Sequence, residues 1–157
     1  MKNPVSAAAV ALRVLLGWYM FFAGIEKVLN PEWSASGFLL SAKTFSSLYA
    51  WFGAPAQSIW IDPLNAWGIT LIGVALLLGV AVRFAAFAGA ALMIVYYFPH
   101  YAFPFILPHG FIVEEHLIYA AAFVLIALLP DARKFSLAPL IRKTGVGKLP
   151  FMSVLLK

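Results

Sequence analysis

Four long apolar stretches constrain the fold of this chain more than any other feature of the sequence. They lie at roughly Val5–Ile25, Ile59–Val82, Phe84–Tyr101 and Phe111–Leu129. A helix needs about 20 apolar residues to cross a hydrocarbon core of about 30 Å, and each stretch is close to that length. Because 64% of the residues are hydrophobic and only 11% are charged, a soluble domain would lack polar surface. The sequence therefore predicts an all-α fold, an integral membrane four-helix bundle.

The segment between the first two stretches has a different character. In Ser34 to Phe52, aromatic and small residues recur at helical spacing with serines and Lys43 between them. This pattern predicts an amphipathic helix that lies at the outer membrane interface. Four tryptophans share that side: Trp33, Trp51, Trp60 and Trp67. They are expected to form an interfacial belt or, alternatively, the walls around a flat ligand.

Basic residues are distributed unevenly between the two sides of the predicted bundle. With four spans, one side receives Lys2, Arg83, Arg133, Lys134, Arg142, Lys143, Lys148 and Lys157, and the other receives Lys27 and Lys43. Since Lys and Arg near span ends favour the cytoplasm, both termini are expected there. We expect a four-helix domain over residues 1–130 and a basic membrane-surface tail over residues 131–157. The basic patch indicates contact with anionic lipid and not with nucleic acid.

One stripe of the first span carries charges that lipid cannot solvate. It contains Arg13, Gly17, Met20, Gly24 and Lys27, at spacings of four and three residues. Glycines let a neighbouring helix or a ligand approach closely, so this stripe should face the bundle. Arg13 then needs an anion, backbone carbonyls or a polar ligand, unless it snorkels to the surface. We expect Arg13 to form the floor of a cavity.

Three consecutive ionisable residues, Glu114, Glu115 and His116, open the last apolar stretch. Acids in a first helical turn are favoured by the helix dipole, which is a purely structural explanation. Histidine adds a group that exchanges protons near neutral pH, and Tyr119 lies on the same face as Glu115. The sequence therefore predicts a proton-entry site with Glu115 and His116 as its catalytic residues.

A quinone would suit such a site, because its ring needs hydrogen-bond donors, a proton source and aromatic walls. The residues predicted to bind a quinone are Arg13, Lys27, Tyr119, Tyr97 and Trp67, and those predicted to be structural polar residues are Arg83, Glu26 and Asp62. Because the chain has no cysteine, it cannot hold an iron–sulfur cluster or a thiolate-bound metal. The histidines lack helical metal-ligand spacing. We therefore expect no metal, haem or iron–sulfur cofactor.

A family resemblance rests on residues in three of the predicted spans. They are Arg13, Gly17, Gly24, Lys27, Gly73, Gly79, Arg83 and the run from Glu114 to Tyr119. In order and spacing they resemble the DoxX/DoxD family over about residues 8–130. The resemblance implies a four-helix protein of the prokaryotic cytoplasmic membrane. It also carries over Arg13, Lys27, Arg83, Glu115 and His116 as site positions.

Two functions follow from the resemblance and the polar residues. One is a redox subunit that interacts with quinone, similar to the small membrane subunit of thiosulfate:quinone oxidoreductase and acting with a partner subunit. The other is a non-catalytic accessory subunit of a larger respiratory or photosynthetic membrane complex, favoured by the small-residue face around Gly89 and by the surface helix over residues 34–52. The chain departs from many relatives at Ile69-Thr70, where they carry a glutamate. Whether it is an enzyme is left open by the sequence.

Overall fold

The computed structural model describes residues 3–107 and 110–144. Its helices are α1 (Pro4–Leu29), α2 (Ser36–Leu40), α3 (Ser46–Phe52), α4 (Pro55–Leu78), α5 (Val82–His100), α6 (Glu115–Leu128) and α7 (Ala138–Arg142). A 3-10 turn spans Pro130–Arg133, and the strands are β1 (Phe105–Leu107) and β2 (Gly110–Phe111). Within these ranges, α1, α4 and α5 are long and apolar enough to cross a membrane. Lys2, Pro108, His109 and residues 145–157 lie outside the described residues.

The fourth predicted span, Phe111–Leu129, differs most from the structure. Its helix α6 has 14 residues, or about 21 Å at 1.5 Å per residue, which is less than a hydrocarbon core of about 30 Å. The chain before it forms a short antiparallel hairpin in which Phe105 pairs with Phe111. Prolines in this connection, Pro104 among them, cannot donate helical hydrogen bonds, so the helix is shorter than the predicted span.

Glycines set the packing of α1 against α4, the most extensive helix pair. A Cβ atom at Gly24 would overlap the backbone of Thr70, and one at Gly73 would overlap the backbone of Phe21. The two backbones therefore approach each other at both points, as small residues allow in membrane helices. This confirms that the glycine stripe of α1 faces the bundle.

The small-residue face of α5 packs inside the chain. Gly89 is buried, and a Cβ atom there would lie 2.9 Å from the fully buried ring of Phe123 on α6. In the sequence, this face favoured packing against a neighbouring subunit. In the structure α6 occupies it, so Gly89 no longer favours an accessory role.

The turn between α4 and α5 places Arg83 differently from the prediction. α4 ends at Leu78, and Gly79 adopts the left-handed conformation (φ 69°) that glycine reaches without strain. The chain reverses there, and α5 begins at Val82. Arg83 was predicted to close the second span, but it is an exposed residue in the first turn of the third.

The predicted interfacial helix from Ser34 to Phe52 is two short helices, α2 and α3. Between them Lys43 donates its backbone N–H to Pro99, and the Thr44 hydroxyl donates to the carbonyl of Tyr101. Phe45 then adopts a left-handed conformation (φ 53°) immediately before α3. These hydrogen bonds hold the segment against the end of α5, so it breaks there and does not continue as one straight helix.

Both described ends of the chain lie at the same end of the bundle. Ser6, in the first turn of α1, donates a hydrogen bond to Asp131 over 2.7 Å and accepts one from Lys134 over 2.8 Å. Lys134 also forms an ion pair with Asp131. This network ties the segment that follows α6 to the start of α1.

Candidate functional site

A cavity of about 720 Å³ lies at the opposite end of the bundle from that network. Rings from the segment after α1 form part of its wall, including Trp33, Phe38, Tyr49 and Phe52, and α4 and α5 supply aliphatic and small residues such as Gly68, Ile72, Ala88 and Ala91. The Tyr49 hydroxyl donates to the carbonyl of Val95 over 2.8 Å. Burial raises the pKa of the Tyr49 phenol, so this tyrosine stays a neutral donor.

Three polar side chains from three helices meet in this cavity. Lys27 of α1 donates to the amide oxygen of Asn65 on α4 over 3.4 Å, and the amide nitrogen of Asn65 donates to the hydroxyl of Tyr96 on α5. We call these residues the donor chain. Because the Tyr96 oxygen already accepts a bond, its own hydrogen is available to an acceptor in the cavity. The Lys27 ammonium also lies 4.9 Å from the ring centre of Trp33 and 5.6 Å from that of Tyr96.

A carboxylate–imidazole pair stands beside the donor chain. Glu114 precedes α6 and is 7% exposed; its carboxylate accepts the backbone N–H of His116 over 3.0 Å and contacts Nδ1 of the same residue at 2.9 and 3.0 Å. When this carboxylate is ionised it only accepts hydrogen bonds, and Nδ1 then carries the hydrogen between them. Nε2 is then the nitrogen that can exchange a proton with a ligand.

Aromatic contacts join the two polar groups. The ring of Tyr96 meets the His116 ring edge to face, with centres 6.3 Å apart. His100 lies 6.2 Å from His116 and 5.7 Å from Phe38. The cavity therefore has a donor-rich side and an imidazole side, with aromatic rings between and around them.

The residues predicted to bind a ligand or to react do not all lie at the cavity. Lys27 and His116 line the cavity, whereas Arg13, Trp67, Tyr97, Tyr119 and Glu115 do not. Trp67 is 52% exposed, and Tyr119 packs against Tyr19 with ring centres 5.2 Å apart. The Tyr97 hydroxyl donates to the carbonyl of Ile112, which braces the connection before α6.

Arg13 is buried at the other end of the bundle. Its guanidinium donates to the backbone carbonyls of Ala132 over 2.7 Å, Lys134 over 2.9 Å and Phe135 over 3.2 Å. It does not form the floor of the cavity; it anchors the segment after α6. This is the carbonyl-bonded arrangement that a buried arginine can adopt without an anion.

The three predicted structural polar residues have little to do with the cavity. Arg83 and Glu26 are exposed. Asp62 accepts the backbone N–H of Ala35 over 2.9 Å, and so holds the start of α2 against α4. Of the three, Asp62 is the one that positions a cavity wall.

The sequence reasoning did not assign Asn65 or Tyr96 to the site, and it chose Glu115 where the structure brings Glu114 to His116. Asn65 carried a usable signal, because an amide inside an apolar span is expensive unless it is paired. No comparable signal in the sequence pointed to Glu114, because its contact with His116 depends on the extended backbone before α6.

Glu114, Glu115 and His116 offer ligand atoms that lie within 4.8 Å of one another. The Glu114 carboxylate, however, already holds the imidazole of His116. The expectation that the chain binds no metal stays a prediction.

The long apolar helices define a helical membrane protein, and a mainly apolar cavity with a few polar side chains lies at one end of the bundle. The chain belongs to the DoxX family, whose model matches residues 8–102. The match includes Lys27, Asn65 and Tyr96, but it ends before the Glu114–His116 pair. Searches of curated proteins and of solved structures gave no match.

Proposed function

We propose that this chain is a quinone-binding redox subunit of a membrane complex, in which a partner subunit supplies the electrons. The observation that carries the proposal is the pairing of the donor chain with His116 in one aromatic-walled cavity. A quinone ring presents carbonyl oxygens, which accept hydrogen bonds, and a flat face, which packs against aromatic rings. Small-molecule sites are typically apolar pockets with a few convergent polar groups of this kind.

The two polar groups fit the two oxygens of the ring. One carbonyl accepts hydrogen bonds from the Tyr96 hydroxyl and the Lys27 ammonium. The other lies toward His116, whose Nε2 transfers a proton when the imidazole is protonated. Reduction to the quinol consumes two electrons and two protons: the electrons come from the partner, His116 gives one proton to the oxygen that it faces, and the other oxygen takes its proton from the Lys27 ammonium from which it accepts a hydrogen bond.

The isoprenoid tail of a quinone also has a path. Beyond the polar groups, the cavity continues between α4 and α5, where Gly68, Ala88 and Ala91 leave room. Ala91 and Leu64 in this wall are exposed. The tail can therefore run from the cavity into the lipid.

The electron donor lies outside this chain. The sequence contains no cysteine for a thiol-based redox centre, and the family resemblance makes a thiosulfate-oxidising subunit the first partner to test. We place the protein in a prokaryotic cytoplasmic membrane with both termini in the cytoplasm. The hydrogen bond from Ser6 to Asp131 supports this placement, because it brings the start of α1 and the segment after α6 to the same side of the membrane.

Calorimetric titration of the purified protein with a short-chain ubiquinone or menaquinone analogue tests the proposal. Tyr96→Phe keeps the ring and removes the donor, so it should weaken binding about fivefold to tenfold, the value of one hydrogen bond. Tyr19→Phe is the matched control, because Tyr19 is 47% exposed and does not line the cavity. Absence of saturable binding to the wild type, or equal weakening by both variants, would overturn the proposal.

A further inference from the structure

The charge of Lys27 points to a more specific ligand, an inference that rests on the proposed quinone site. Lys27 is half-buried at the cavity. The ion pairs found among the described residues join Glu114 to His116 and Asp131 to Lys134, and neither of them involves Lys27. Its hydrogen bond goes to a neutral amide at 3.4 Å. The faces of Trp33 and Tyr96 attract the ammonium, but each such contact is worth only about 1 kcal/mol.

Neither Asn65 nor Glu114 supplies the missing negative charge. Asn65 uses its oxygen for Lys27 and its nitrogen for Tyr96, so it passes polarity along the donor chain without adding charge. The donor chain thus offers the cavity a Tyr96 O–H and the remaining N–H groups of Lys27, and all of these groups are hydrogen-bond donors. Glu114, the buried carboxylate nearby, is occupied by His116.

A neutral carbonyl would satisfy the donors and leave the ammonium uncompensated. An ionised ring oxygen would accept from Tyr96 and neutralise Lys27 at the same time. Hydrogen bonds between charged partners are stronger than neutral ones. The site should therefore bind an anion more tightly than a neutral ring.

We propose that Lys27, Asn65 and Tyr96 form an oxyanion-binding group, and that the cavity prefers quinone-type rings with one ionised oxygen to neutral rings of the same shape. The chemical class is that of acidic hydroxyquinones, whose hydroxyl is ionised at neutral pH. His116 stands at the other side of the ring and holds the second oxygen. The aromatic walls accept either form equally, so the preference comes from Lys27.

Two probes of nearly equal shape test this preference. At neutral pH 2-hydroxy-1,4-naphthoquinone is an anion, whereas 2-methoxy-1,4-naphthoquinone cannot ionise. The wild type should bind the hydroxy probe about tenfold to hundredfold more tightly, the range expected for a hydrogen-bonded charge. Lys27→Gln should abolish that ratio while changing the affinity for the methoxy probe less than about threefold. Lys43→Gln, an exposed lysine outside the cavity, should keep the wild-type ratio.

The wild-type comparison needs no variant to fold. Equal affinity of the two probes for the wild type, or a preference that survives Lys27→Gln, would overturn the anion preference. Binding of the methoxy probe with no preference would leave the quinone site standing and contradict this inference alone. Failure of both probes and of a neutral short-chain quinone to bind would contradict the proposed function itself.

Discussion

Glu114 holds His116 by both its backbone and its ring: one carboxylate accepts the N–H over 3.0 Å and faces Nδ1 at 2.9 Å. The extended conformation of Glu114 (φ −145°, ψ −176°) brings its side chain back over the first turn of α6. The same contact begins the helix and fixes the imidazole. A structural N-cap and the proposed proton-transfer pair are therefore one feature of this fold.

This relationship predicts different effects for two adjacent glutamates. Glu114→Gln retains an acceptor for the backbone N–H but loses the carboxylate that holds Nδ1 of His116. Quinone reduction by the complex from native membranes should slow about 100-fold, within the range of general acid–base catalysis, with KM for quinone nearly unchanged. Glu115→Gln is the control, because Glu115 is exposed and does not line the cavity. Equal rates for Glu114→Gln and the wild type would refute the role of the pair.

Glycines of α4 predict opposite responses to the same substitution. Gly73→Ala places a methyl group against the backbone of Phe21 and should destabilise the protein by about 1–3 kcal/mol, as overpacking does. A Cβ atom at Gly68 meets nothing within 4 Å, so Gly68→Ala should be neutral or stabilising by up to about 1 kcal/mol through helix propensity. Thermal unfolding in detergent measures both. A Gly73→Ala variant as stable as Gly68→Ala would show that α1 and α4 do not pack as described.

The anchor of the segment after α6 predicts a dependence on acid. Hydrogen bonds from Lys134 and then from Ser6 hold the pKa of Asp131 below its ordinary value. A carboxyl whose pKa is lower in the folded state contributes stability above its unfolded pKa, and that contribution is lost as the pH falls toward the folded pKa. Ser6→Ala should therefore reduce stability at neutral pH and leave less of it to be lost on acidification. Unfolding midpoints between neutral and acidic pH test this; parallel curves for the variant and the wild type would contradict it.

The sequence predicted the helical framework because apolar length and glycine spacing are local signals. It identified three of the long helices and the inward glycine stripe of α1, and two of its candidate site residues, Lys27 and His116, line one cavity. It failed where distant contacts decide. The break between α2 and α3 depends on Pro99 and Tyr101, and the carbonyls that bind Arg13 come from residues more than a hundred positions away. Asn65 and Tyr96 become partners only after α4 and α5 have packed.

Quinone content after purification tests most directly whether the cavity is a quinone site. Gly68→Leu would extend a side chain into the cavity wall without a clash at its Cβ atom. Gly37→Leu is the matched control, since a Cβ atom at Gly37 also meets nothing within 4 Å and Gly37 does not line the cavity. We predict that quinone co-purifies with the wild type and with Gly37→Leu, and that Gly68→Leu loses most of it while remaining folded. A folded Gly68→Leu variant that keeps the wild-type quinone content, or a wild type that carries none and binds none, would contradict the account.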